Sequence, residues 1–155
     1  MTHVALTAEK SVTSWTGEHH SHSDAARYAV PIGRALFAAI FVMAGFGHFS
    51  RPMIDMAAQQ GVPLAALLVP LSGVMSVAGG LSVLLGYRAR WGATLLVLFL
   101  VPVTFAMHQF WAQSDPQQAQ LHMVMFMKNL GLIGGALLIG YFGAGPLSLD
   151  ARRAR

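Results

Sequence analysis

Three imidazoles and one ammonium are the side chains of this 155-residue chain best suited to chemistry. His48, His108 and His122 stand near the ends of long apolar runs, and Lys128 stands inside one. A neutral imidazole has one donor and one acceptor nitrogen, so it can hydrogen-bond a carbonyl or hydroxyl, relay a proton or ligate a metal. A lysine at the centre of a membrane span costs about 2.5–3.5 kcal/mol on insertion scales, so a partner or a purpose is expected for it. Trp111 follows His108 by three residues and Asn129 follows Lys128 directly, adding an aromatic face and an amide to the same set.

Each of these residues also has a plainer account. Lys128 can snorkel to the interface, and histidines and Trp111 near helix ends suit ordinary interfacial belts. His48, His108 and His122 are the metal-ligand candidates, but no two share the i, i+4 spacing that sets a ligand pair on one helix face. Met123, Met125 and Met127 alternate around a helix and read as apolar filling ahead of a copper(I) site. The tract His19-His20-Ser21-His22 reads as part of a solvated tail, with metal binding as the alternative. No nucleophile, base and acid grouping, phosphate loop or catalytic carboxylate pair is visible. The absence of cysteine excludes disulfide, iron–sulfur and thiol-exchange chemistry by this chain. Redox activity would therefore need a bound cofactor or partner, and the sequence leaves open whether the protein is an enzyme.

The elements that must position these groups follow from composition. With 55% hydrophobic and 10% charged residues, the chain lies far below the roughly 25% charge of a soluble domain. Its basic residues sit at the ends of apolar runs and not in a groove-lining patch, which argues against nucleic acid. Four apolar runs, Ala29 to Phe49, Val62 to Gly86, Trp91 to Ala112 and Leu121 to Gly143, are each near the ~20 residues that cross a bilayer as a helix. In lipid a segment must satisfy its own backbone, which only a helix does for such runs. The expected fold is an all-α integral membrane four-helix bundle over residues 27–150. A disordered tail over 1–26 precedes it, and a basic tail over 151–155 follows. A short interfacial helix is expected over Asp55 to Gln60.

Orientation can be counted. Lys10, Arg27, Arg34, Arg88, Arg90, Arg152, Arg153 and Arg155 fall on one side and only Arg51 on the other. The bias predicts both termini in the cytoplasm of a bacterial inner membrane. Helical spacing aligns Arg34, Ala38, Phe41, Gly45 and His48 on the first span, and Arg90, Thr94, Val97, Val101, Thr104 and His108 on the third. Both stripes carry arginine at one depth and histidine at the other. Ser72, Ser76, Gly79 and Gly80, and Gly131 with Gly135 below Lys128, read as small-residue packing faces. Asp150 lies on the arginine side, and a salt bridge to Arg34 or Arg90 is expected to close the bundle there.

Several of these stretches together resemble the DoxX family. They are the first helix with Arg34 and Gly45, Gly79-Gly80 through Gly86-Tyr87-Arg88, His108-Gln109-Phe110-Trp111, and Phe126-Met127-Lys128-Asn129-Leu130 through to Asp150. The resemblance spans about Arg27 to Asp150 and implies a four-helix inner-membrane protein tied to quinone-linked membrane oxidoreductase assemblies. On that reading the chain is an accessory or quinone-interacting subunit with a polar pocket near the outer face. His108 or His122 would hydrogen-bond a quinone carbonyl, Lys128 would stabilise negative charge on it, and Trp111 or Phe110 would stack on its ring. Quinone is the cofactor expected ahead of haem or metal. Two alternatives stand beside it: a proton or small-solute transporter formed by a homo-oligomer, and a purely structural scaffold in the bilayer.

Overall fold

The computed structural model describes residues 26–153, so the tail expected before residue 26 lies outside the described residues. The chain forms α1 (Ala26–Gly47), α2 (Arg51–Gln59), α3 (Ala65–Leu85), α4 (Ala89–Met107), a single 3-10 turn (Phe110–Ala112), α5 (Pro116–Phe142) and α6 (Leu149–Arg153). Helices α1, α3, α4 and α5 are long and apolar enough to cross a membrane. They make the expected all-helical four-span bundle.

Local signals set the ends. Ser50 is extended and Pro52 occupies the first turn of α2, where a missing N–H costs nothing and the fixed φ suits a helix. These two residues start α2 at Arg51, ahead of the expected Asp55 start. Gly86 closes α3 at φ 62°, in the left-handed region that glycine enters without penalty. Asp115 caps α5 by accepting the Gln117 N–H at 2.9 Å, with Pro116 at the first position.

In the bundle α3 packs between α1 and α4, and α4 carries α5 on its far side. Small residues set these crossings. A Cβ added at Gly45 would fall 2.6 Å from Val77 Cγ2, and one at Gly79 would fall 2.7 Å from Leu96 Cδ2. A larger side chain at either position would have to displace its neighbour. Ser76, 1% exposed, donates to the Phe41 carbonyl of α1 at 2.9 Å, which ties the helices where no water competes. Ala38, Phe41, Val83, Leu96, Phe99 and Ala136 form the core between them.

Burial is uneven. One third of the α3 span is enclosed by protein but only 11% of the α5 span, so α5 leaves most of its surface uncovered within one chain. The α1 stripe Arg34, Ala38, Phe41, Gly45 points inward with His48 half-buried at its end, whereas in the α4 stripe Arg90, Thr94 and Val101 are exposed. Gly135 receives the Phe37 ring of α1, but a Cβ at Gly131 would meet nothing within 4 Å. The small-residue face expected around Gly131 is therefore not a contact within one chain.

Candidate functional site

The three histidines come together at one end of the bundle around a cavity of about 490 Å³. His48 follows α1, His108 ends α4, and His122 lies in the second turn of α5. His108 and His122 meet edge to face, with ring centroids 5.9 Å apart. His48 sits across the cavity against Phe99, centroids 5.7 Å apart.

A relay of two hydrogen bonds orients His48. Its Nδ1 is 2.7 Å from Ser72 Oγ, and the Ser72 hydroxyl donates to the Val69 carbonyl at 2.7 Å. A hydroxyl has one proton, so Ser72 accepts from Nδ1–H, which leaves Nε2 of neutral His48 as an acceptor. Gly73 makes room for the ring. A Cβ there would fall 2.8 Å from His48 Cβ.

His122 Nδ1 is buried without a hydrogen-bond partner. Such a nitrogen costs about 1–3 kcal/mol when left unmet. Around these imidazoles the wall is mostly apolar. Met53, Met56 and Ala57 of α2 roof the cavity, Met75 and Val69 come from α3, and Val103 and Met107 come from α4. Helix α2 is held there because Ala57, 1% exposed, packs on Ala65 and Val69. Leu71 and Leu98 line the cavity yet are 48% and 59% exposed, which puts a mouth on the lipid-facing side between α3 and α4.

The other expected site residues lie elsewhere. Lys128 is exposed on the outer face of α5 and does not line the cavity. Asn129, one residue on, is 4% exposed and turned inward, but it too is off the cavity wall. Trp111 joins Phe110 and Phe126 in an edge-to-face cluster, centroids 5.0 to 5.9 Å apart, and is 56% exposed. Although His48, His108 and His122 share the cavity, no group of three metal-ligating side chains suited to an ion forms among the described residues. Sequence reading missed the roof. Its signal was there in Met53, Met56, Ala57 and Gln60, whose i, i+3, i+4, i+7 spacing makes one helix face.

At the opposite end the expected ion pair does not form. Arg34, 6% exposed, donates to the Ala144 carbonyl and to the Leu147 carbonyl, the latter at 3.1 Å. Asp150 accepts the Arg88 N–H at 2.8 Å and the Ala89 N–H at 3.0 Å. The exposed Arg90 guanidinium lies beside Gly143. Orphan carbonyls after α5 and orphan amides at the start of α4 compete for these charges, and each charge caps a helix end instead of meeting the other.

The comparisons with known proteins follow the same helices. The model of the SURF4 family matches residues 58–155. Inner membrane protein YqjF of Escherichia coli is 28% identical over 121 residues, covering 78% of this chain and 88% of that protein. Inner membrane protein YphA of the same organism is 27% identical over 123 residues, covering 78% and 87%. ER-derived vesicles protein ERV29 of Saccharomyces cerevisiae is 29% identical over 80 residues, covering 52% of this chain and 26% of that protein. No solved structure matches significantly.

The SURF4 match overturns the DoxX resemblance. Several residues in the stretches that carried the resemblance serve the bundle's own geometry: Gly45, Gly79 and Gly80 at crossings, Gly86 at a helix stop and Asp150 at a cap.

Proposed function

Since the chain belongs to the SURF4 family, we propose that this small multi-pass inner-membrane protein is a binding protein for a lipid-soluble ligand with a carbonyl or hydroxyl head. The ligand enters from the hydrocarbon between Leu71 and Leu98, and its apolar body lies against Met53, Met75 and Phe99. Its head meets the imidazoles of His108 and His122. The observation that carries this reading is the gathering of His48, His108 and His122 on the wall of a largely apolar cavity. A site built to hydrogen-bond a polar head discriminates strongly against the analogue that lacks it.

A quinone is one ligand of this class. The oxidoreductase assembly implied by the DoxX resemblance is not carried over, because nothing in the matching relatives supports it. On this reading the arginine-bearing end, with Arg34, Arg88, Arg90, Arg152 and Arg153, faces the cytoplasm, and the cavity opens toward the outer leaflet.

The test is a titration of purified protein with a short-tailed benzoquinone, the matching hydroquinone and the alkylbenzene lacking both oxygens. The two oxygenated compounds should bind at least about tenfold tighter, a difference of about 1.4 kcal/mol. His122→Phe should erase that preference while keeping the alkylbenzene affinity. Equal binding of all three, or binding of none, would overturn the proposal.

A further inference from the structure

An open groove of about 400 Å³ lies between α3 and α4 at the arginine-bearing end, far from the histidines. Its floor is tight, since Gly92 backs directly onto Ser82, and its wall is aliphatic, with Ala78, Leu81, Leu85 and Leu95. Tyr87, Arg88 and Trp91 stand at its mouth, and Trp91 is 71% exposed.

Two guanidiniums converge on this mouth. Arg153 of α6 sits 4.6 Å from the Tyr87 ring centroid and Arg88 sits 5.9 Å from it. Both cations therefore lie against one ring. Neither has an ion pair among the described residues. The acid beside them in the fold, Asp150, is engaged through both oxygens by the Arg88 and Ala89 amides. Positive charge thus exceeds negative charge at the head of an apolar groove.

We propose that this groove holds an anionic phospholipid. Its phosphate would bridge Arg88 and Arg153, and one acyl chain would run down the groove past Leu85 and Leu81. Guanidinium forks match phosphate oxygens in pairs, and basic pockets between membrane helices suit anionic head groups. Trp91 sits at the depth where amphipathic rings favour the interface. The aliphatic wall favours a lipid over a free phosphate, which has no chain to fill it. This site is independent of the histidine cavity.

Native mass spectrometry of the full chain, released from micelles holding equal phosphatidylglycerol and phosphatidylcholine, tests it. Phosphatidylglycerol adducts should exceed phosphatidylcholine adducts about tenfold, and millimolar inorganic phosphate should not displace them. The double substitution R88Q/R153Q should abolish the preference. Leu81→Trp, which fills the groove and leaves the charges, should lower retention of both lipids. Equal adducts in the native protein, persistence of the preference in R88Q/R153Q, unchanged lipid retention in Leu81→Trp, or displacement by phosphate alone would overturn the proposal.

Discussion

The carboxylate of Asp150 caps α4 from the far end of the chain, receiving the Arg88 and Ala89 N–H groups at 2.8 and 3.0 Å. Its own N–H donates to the Gly86 carbonyl at 2.8 Å, so one residue ties the α3–α4 turn to the segment after α5. A lost cap costs about 0.5–2 kcal/mol. Asp150→Ala should lower the melting temperature in detergent and increase protease cleavage after Phe142. Asp150→Asn, which keeps an acceptor oxygen, should retain part of the stability. A melting temperature unchanged in Asp150→Ala would show that the cap contributes nothing.

Arg34 performs the matching task for carbonyls. Charged hydrogen bonds contribute about 1.5–3 kcal/mol, and Arg34 reaches both Ala144 and Leu147. Arg34→Met should therefore destabilise the bundle by about that amount. Arg34→Lys should recover little, because one ammonium does not reproduce the planar fork. Equal stability of the Lys and native proteins, read from thermal melts, would contradict this geometry.

The orientation of His48 depends on α3. Ser72→Ala removes the acceptor for Nδ1–H, and Gly73→Ala places a methyl 2.8 Å from His48 Cβ. Both changes should shift the His48 ring resonances in NMR spectra of selectively labelled protein. Gly73→Ala should also destabilise by about 1–3 kcal/mol through overpacking. Ring signals identical to those of the native protein in both variants would remove the relay.

Lys128 gives the opposite expectation. It is exposed on α5 and absent from the cavity wall, so Lys128→Met should leave binding of the short-tailed benzoquinone within about twofold. It should also ease insertion, since a mid-span lysine costs about 2.5–3.5 kcal/mol. A tenfold loss of affinity would place the ammonium at the ligand after all.

Much of the molecule was legible from one-dimensional pattern. Four apolar runs near twenty residues, with no water to satisfy their backbones, had to become helices. Arg34 and Arg90, and His48 and His108, read at opposite ends of their runs, lie at opposite ends of the bundle. Gly86, Pro52 and Pro116 marked helix ends through dihedral preferences that need no tertiary contact.

What spacing left undecided is the direction each helix faces. Successive helical residues point about 100° apart, so turning α5 by one position would exchange Lys128 with Asn129. Packing of α4 against α5 decided that Asn129 turns inward and Lys128 outward. The α2 roof, the Ser72 contact to His48 and the capping of α4 by Asp150 each join residues far apart in the chain. The sequence by itself determined that this protein spans a membrane and which end of the bundle holds His48, His108 and His122. Only the tertiary structure decided which imidazoles share a cavity, because that depends on helix rotation and on competition among buried polar groups for partners.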